Sequence, residues 1–245
     1  MLLCWATCVG SMSRRKNIGR WIFTASRRLS MNNPLYASVL KLGRKDIKQF
    51  SIKDEYGLHK VIYSLFDKDE QAEKRRFLFC EKGGAFDLSS KEYVKQIILL
   101  SQQPPKSAIG NYPLKIQSKL IPETFLSHKY YRFEIRMNVA KRDNQSQKIM
   151  PLKGKEAILA WFLQKNASWG FQADPVGLQI TAHQVMRFSK NDKIVTLNAV
   201  TFQGTLQVVE PQLFADSFSY GIGRGRSFGL GLLQLAPLTD DLFSI

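Results

Sequence analysis

An α+β fold of two tandem ferredoxin-like (RRM-like) domains is the architecture that this sequence predicts. From Tyr130 onward the patterns follow the order strand, helix, strand, strand, helix, strand, which defines a split βαβ unit of the ferredoxin-like type. The preceding half of the chain begins in the same order. A length of 245 residues accommodates two domains of about 100 residues each.

The first half supplies a strand, a helix and three further extended stretches. Asp54 is a suitable N-cap for a helix that runs to Phe66, because apolar residues recur there at the helical period. A second helix is not visible, since the short segment 106–112 is interrupted by glycine and followed by proline. The predicted strands of this half lie at residues 35–42, 76–81, 94–101 and 112–121.

The second half contains the clearest strand. Tyr131, Phe133 and the following odd-numbered residues to Val139 are apolar, and the residues between them are polar, which indicates a half-buried strand over 130–139. The remaining elements are predicted as a helix at 155–169, strands at 178–188 and 194–209, a short helix opening at Pro211 and a final strand at 230–235. We therefore expect an N-terminal domain at 31–125 and a C-terminal domain at 126–245.

Residues 1–30 carry a different composition. They contain arginine and serine but no acidic residue, and their apolar stretch precedes the basic residues, which is the wrong order for a secretory signal. The composition is similar to that of an organellar transit peptide, and the Ser13-Arg14-Arg15 stretch is superficially similar to a twin-arginine signal. We favour a disordered leader, or an upstream start with Met31 as the working initiator.

The charge of the chain favours a polyanionic partner. The 36 Lys and Arg residues exceed the 20 Asp and Glu residues, so the net charge is +16. Neutralising phosphates releases counterions, which makes RNA, DNA or an anionic membrane surface suitable partners. No apolar run is long enough to cross a membrane, and three cysteines do not make a disulfide framework. We expect a reducing, cytoplasmic location.

The glycine-rich segment 221–231 is the strongest local signal. Its backbone can approach a ligand closely, and it contains two arginines that favour a phosphate group. The dinucleotide-binding and Walker A patterns do not fit, because no βαβ unit or Gly-Lys-Ser/Thr follows. A purely structural glycine-rich corner is the alternative. The residues predicted to contact phosphate are Gly221, Gly223, Arg224, Gly225, Arg226 and Ser227.

His59 is the most informative of the histidines. On the predicted helix it lies at the edge of the apolar stripe, beside Tyr56 and Tyr63. An imidazole at such a border is partly desolvated yet reachable, so it can exchange protons near neutral pH. A satisfied boundary histidine is the alternative. His128 and His183 have no carboxylate or cysteine at ligand spacing, and no motif for a metal or another cofactor is present.

Basic residues interleaved with aromatic residues complete the candidate set. Such a mixture can clamp an RNA backbone and stack bases, although an ordinary solvated face has the same composition. The predicted RNA contacts outside the glycine-rich segment are Lys60, Arg132, Arg136, Lys148, Lys153 and Lys155.

Four segments, taken in order, resemble one family. In chain order they are the helix 54–66 with its Tyr-x-x-His pair, the strand 131–138, the helix 156–162 and the C-terminal stretch 221–238. The family is that of the CRISPR repeat-processing endoribonucleases of type I-E systems, the CasE subunits of Cascade within the RAMP superfamily. The leader before Met31 and the tail after Leu238 depart from its pattern.

The resemblance implies two ferredoxin-like domains that bind the repeat hairpin of precursor CRISPR RNA. It implies metal-independent cleavage at the base of the stem, leaving a 2′,3′-cyclic phosphate and a 5′-hydroxyl, with the product retained in Cascade beside other subunits. His59 would be the general acid or base, and Tyr56 would orient it or the phosphate. Two alternative functions are a non-catalytic RNA-binding subunit of the same fold and an unrelated nucleotide-phosphate enzyme.

Overall fold

The structure, a computed structural model, describes residues 34–67, 77–89, 91–142, 145 and 149–238. The predicted leader at 1–30, Arg76 at the start of a predicted strand and Lys148 all lie outside these residues.

The first domain contains a four-stranded antiparallel sheet. Its elements are β1 (Tyr36–Leu42), α1 (Arg44–Gln49), α2 (Glu55–Ser64), β2 (Phe77–Asp87), β3 (Glu92–Ser101), β4 (Ala108–Ile109), β5 (Tyr112–Pro113) and β6 (Lys115–Leu120). The strands pair in the order β2-β3-β1-β6, which is the ferredoxin-like order. A small β4–β5 hairpin replaces the second helix of that fold, because the described segment between β3 and β6 contains no helical turn.

Helix α2 begins where the sequence predicts. The Asp54 side chain accepts a hydrogen bond from the Gly57 backbone N–H at 2.8 Å and thereby caps the first turn. Leu58, Val61 and Ile62 form the buried face of the helix, which packs on the sheet. This burial fixes the direction of the residues at the edge of the face, His59 among them.

Helix α1 was not predicted. It lies between β1 and α2, and the Asp46 side chain accepts a hydrogen bond from Gly43 N–H at 2.7 Å at its start. None of its residues is buried. Without a buried face the segment shows no apolar period, so the pattern that reveals amphipathic helices is missing.

The second domain repeats the arrangement around a five-stranded sheet. Its elements are β7 (Tyr130–Asn138), β8 (Ala140–Arg142), β9 (Ile149–Pro151), α3 (Lys155–Lys165), β10 (Phe171–Ala173), β11 (Gln179–Lys190), β12 (Lys193–Val208), α4 (Pro211–Tyr220) and β13 (Leu233–Pro237). The order is β10-β12-β7-β13, with β11 also paired to β12, and the pairs are antiparallel. The prediction of two tandem ferredoxin-like domains is therefore confirmed.

One apolar cluster spans the boundary between the two domains. Tyr131, Phe133 and Ile135 of β7 are buried under α3 and α4, as the alternation of that strand predicts. Leu78 and Leu100 of the first sheet belong to the same cluster. Burying apolar side chains across the boundary holds the two sheets in one relative orientation. No helix in the described part of the chain is long and apolar enough to span a bilayer.

Gly170 offers a test of the packing between α3 and α4. Its φ is +86°, and a Cβ there would lie 2.3 Å from Phe214 N and 2.6 Å from Glu210 O. We expect Gly170→Ala to reduce the free energy of unfolding by more than about 1 kcal/mol, because the alanine clashes with backbone atoms that have no room to move.

Chemical denaturation of the variant and the parent chain provides the measurement. Gly84→Ala is the matched control, because a Cβ at Gly84 meets no atom within 4 Å; we expect a change within about 0.5 kcal/mol for it. Equal stabilities of the two variants would contradict the described packing around Gly170.

Candidate active site

The candidate active site forms where α2 of the first domain meets the second domain. Helix α2 contacts β11 and the short 3-10 helix Arg226–Phe228. That 3-10 helix lies within residues 221–231, hereafter the glycine loop. Two sequence signals that are far apart in the chain, the Tyr56–His59 pair and the glycine loop, thus lie side by side in the fold.

Aromatic rings surround His59. The centroid of its imidazole lies 5.5 Å from that of Tyr63, 5.9 Å from that of Phe228 and 6.2 Å from that of Tyr56. The planes of His59 and Tyr56 differ by 15°, so the two rings are nearly parallel. His59 is half-buried, as the edge position on the helix predicts. The ring is held by packing while part of its surface stays accessible.

Tyr56 connects α2 to the hairpin that β11 and β12 form. Its hydroxyl donates to Asn191 Oδ1 at 3.4 Å, and the Lys60 ammonium lies 4.4 Å from the centroid of its ring. Asn191 and Asp192 form the two-residue turn of this hairpin, with φ of 50° and 59°. The hairpin tip is therefore attached to the residue next to His59 on the helix surface.

The glycine loop is closed at its base by backbone hydrogen bonds. Ile222 N–H donates to Gly231 O at 2.8 Å, and Gly231 N–H donates to Arg136 O of β7. A Cβ at Gly231, whose φ is +82°, would lie 2.2 Å from Ile222 O. Close backbone contact explains the glycine here, so part of the glycine pattern is structural, as the alternative interpretation holds.

The two arginines of the loop have different surroundings. Arg226 Nη1 donates to the carbonyl of Tyr220 at 2.6 Å, and Gly221 O lies at 3.5 Å, so this guanidinium covers the C-terminal end of α4. Arg224 is exposed and lines a groove together with Gly223. Ser227 precedes Phe228 in the 3-10 helix that contacts α2.

The hairpin adds basic residues that were not predicted from the sequence as RNA contacts. Arg187, Lys190 and Lys193 lie at its end, and Lys190 Nζ is 5.7 Å from the centroid of the Phe228 ring. The Lys-Asn-Asp-Lys turn between two strand patterns was the available signal. It was missed because nothing in the sequence shows that this turn reaches α2.

The other predicted RNA contacts lie in three places. Arg132 is exposed on the polar face of β7, and Arg136, on the same face, donates to Gln184 Oε1 at 2.9 Å. Lys153 and Lys155 are exposed at the beginning of α3. Lys148 lies outside the described residues. The structure thus brings Lys60 to His59, whereas Arg132, Arg136, Lys153 and Lys155 lie on other elements.

Cys80 is not a candidate nucleophile. Burial raises the pKa of its thiol to about 11, although Lys82 and Arg136 nearby act in the opposite direction. A neutral buried thiol reacts slowly. Within the described ranges, no three His, Cys, Asp or Glu side chains lie close enough to hold a metal ion.

The arrangement is suited to proton transfer beside a phosphate group. A half-buried imidazole can accept or donate a proton near neutral pH. The phenol of Tyr56 lies beside it, and the ammonium groups of Lys60 and Lys190 lie within the same cluster of rings. Cations next to a proton carrier stabilise the charge that develops on a phosphoryl oxygen during ester cleavage.

Comparison with known proteins identifies a family and two named relatives. The family described as CRISPR associated protein matches residues 35–237. The CRISPR-associated endoribonuclease Cse3 of Thermus thermophilus is 34% identical over 116 residues, which is 43% of this chain and 55% of Cse3. The match thus spans about half the length of that relative. The CRISPR system Cascade subunit CasE of Escherichia coli is 28% identical over 200 residues, 76% of this chain and 94% of CasE.

A solved structure shows the same fold. The structure of the CRISPR endoribonuclease Cse3 bound to a 19 nt RNA superimposes with a TM-score of 0.71 at 22% identity, covering 83% of this chain and all of that one. The fold, the match over nearly the full described length and the order of the sequence signals agree. This chain belongs to the family of CRISPR-associated proteins, with the endoribonuclease Cse3 and the Cascade subunit CasE among its relatives.

Proposed function

We propose that the protein is a metal-independent endoribonuclease that binds the repeat hairpin of precursor CRISPR RNA and cuts at the base of the stem. The observation that carries the proposal is the meeting of His59 and Tyr56 with Phe228 of the glycine loop beneath a basic hairpin. The names of the two relatives, an endoribonuclease and a Cascade subunit, support it. The product then stays bound, and the protein joins the other subunits of Cascade.

The chemistry is an internal phosphoryl transfer. The 2′-oxygen attacks the adjacent phosphorus as its proton leaves, the bond from phosphorus to the 5′-oxygen breaks, and the 5′-oxygen gains a proton. The products are a 2′,3′-cyclic phosphate and a 5′-hydroxyl. His59 carries one of the two protons, and Tyr56, on the same face of α2, orients the imidazole or the phosphate. RNA alone supplies the nucleophile.

Cations around the site bind the RNA backbone. Lys60 is exposed next to His59. Lys190 and Lys193 flank the two-residue turn of the β11–β12 hairpin, and Arg187 lies nearby on β11. A tip this narrow can approach a helical stem. Arg224 extends the basic surface along the glycine loop. The net charge of +16 agrees with a partner that carries many phosphates.

The first test is cleavage of the cognate repeat hairpin in EDTA. We expect the parent chain to cut, and His59→Ala to bind the RNA normally while its single-turnover rate falls by at least about a hundredfold, because one acid–base group is lost. His128→Ala, which removes an exposed histidine from the second domain, is the matched control and should cut at the parent rate.

Two outcomes of this assay would refute the enzyme mechanism. Equal cutting by the parent and His59→Ala would remove His59 from the reaction. Binding by both proteins with no cutting would favour a non-catalytic RNA-binding subunit of the same fold.

The arginines of the glycine loop provide a second test, because their surroundings differ. Arg224→Ala should weaken hairpin binding and lower the salt dependence by about one phosphate contact, with thermal stability unchanged. Arg226→Ala should lower the melting temperature, because the carbonyls of Tyr220 and Gly221 lose their donor. Gel shifts across salt concentrations measure the change in RNA binding, and thermal melts measure the change in stability. A lower melting temperature for Arg224→Ala but not for Arg226→Ala would reverse the roles assigned to the two arginines.

The basic hairpin provides a third test. The double variant Arg187→Ala, Lys193→Ala should bind the repeat hairpin more weakly, with a slope of log affinity against log salt that is lower by about two. The matched control is Lys45→Ala, Lys48→Ala on α1, which removes the same charge from exposed positions of the first domain. Identical slopes for the two double variants would show that the β11–β12 hairpin does not contact phosphates.

A further inference from the structure

A second surface of the C-terminal domain combines cations with indole rings. It is a groove of about 400 Å³ between α3, the β7–β8 edge and the glycine loop. Its chemically distinctive lining residues, hereafter the tryptophan groove, are Lys141, Arg142, Trp161, Lys165, Trp169 and Arg224. Among the lining residues that the structure describes, none is an aspartate or a glutamate.

The two indole rings form a firm aromatic wall. Trp161 and Trp169 are half-buried, and their ring centroids lie 6.1 Å apart at an interplanar angle of 59°. Trp169 is anchored by an edge contact with Phe162 of the buried core, with centroids 5.3 Å apart. Because both indole rings pack against the apolar core, their solvent-accessible surfaces are held in place for stacking with a planar ligand.

The charges of the groove favour an anionic ligand. Lys141, Lys165 and Arg224 are exposed at its rim. Elsewhere in the described chain several lysines pair with carboxylates, as Lys95 does with Glu81 and Lys106 with Asp67. Cations around an aromatic wall are the arrangement by which proteins hold unpaired nucleotides, whose phosphates and bases meet the two kinds of side chain.

The glycine loop connects this groove to the candidate active site. Gly223 and Arg224 line the groove, whereas Phe228 of the same loop contacts His59. An RNA strand that followed this loop away from the scissile phosphate would pass Gly223 and Arg224, which line the groove. The occupant with the required chemistry is therefore a part of the same RNA molecule.

We propose that the tryptophan groove binds a single-stranded RNA segment that is continuous with the stem, stacking a base on the indole rings and holding phosphates at the rim. The inference rests on the proposed function and deepens it: the enzyme recognises an unpaired flank in addition to the hairpin. Such a contact would allow the protein to distinguish a repeat within a longer precursor from an isolated hairpin.

The experiment measures the affinity of the full chain for three RNAs. One is the minimal hairpin, and the other two carry about eight additional unpaired nucleotides on the 5′ side or on the 3′ side. This length lies within the usual range for one single-strand binding surface. We expect one extension to tighten binding by parent protein at least about fivefold, the lower end of the effect of stacking one base. In Trp161→Leu and, separately, Lys165→Ala, this gain should fall below about twofold, while affinity for the minimal hairpin and its cleavage rate stay at the parent values.

Lys48→Ala is the charge-matched control and should keep the full gain. Lys165→Ala is informative even if Trp161→Leu folds poorly, because Lys165 is exposed. A full gain in both groove variants, or no gain for either extension in the parent, would overturn the proposal. If both variants kept the gain but lost the other Cascade subunits in a pull-down, the groove would be assigned to a protein partner and the RNA proposal would also fall. Absence of hairpin cleavage by the parent would instead refute the proposed function, which is measured in the same assay.

Discussion

The contact of Phe228 with the rings around it is the interaction on which the candidate site depends. The centroid of the Phe228 ring lies 4.5 Å from that of Phe188 on β11 and 5.9 Å from that of His59 on α2. One ring thus joins the glycine loop, the long hairpin and the helix from the other domain. The loop can bring Phe228 there because its base closes through the backbones of Ile222 and Gly231, where a Cβ has no space. The shared core of the two sheets supplies the fixed frame.

The parts of this site that were predictable from sequence are those that a local pattern controls. Asp54 as N-cap and the apolar period of α2 placed His59 at the edge of a buried face, and the alternation of β7 placed its polar residues on the open face. These features depend on neighbours within one element. The ferredoxin-like order was predictable for a different reason, because it follows from the succession of strands and helices along the chain.

Other parts depend on contacts between distant segments, and no local pattern reveals them. The Lys-Asn-Asp-Lys turn looks like an ordinary hairpin until Asn191 is found beside Tyr56. The sequence predicts that Arg226 contacts a phosphate, and this contact stays a prediction. In the structure, its guanidinium donates a hydrogen bond to a carbonyl at the end of α4. Helix α1 was not predicted because it has no fully buried residue and therefore no apolar period, and the β4–β5 hairpin was not predicted because its strands are only two residues long.

The fold separates lysines that pair with carboxylates from the basic residues near the glycine loop. In the first domain, Lys41 and Lys95 pair with acidic side chains and contribute little to an external field. The cations of the β11–β12 hairpin and of the tryptophan groove lie on either side of the glycine loop. Both groups of cations thus lie near the loop whose Phe228 contacts the imidazole at the domain boundary.

The most direct test of the account is single-turnover cleavage of the repeat hairpin by Phe228→Ala, alone and combined with His59→Ala. If Phe228 acts by holding the imidazole in place, its loss should reduce the cleavage rate by about tenfold or more while hairpin affinity is kept. The double variant should then be no slower than His59→Ala alone, because the two residues act through one contact. A parent-like rate for Phe228→Ala would contradict the claim that this contact between the domains builds the active site.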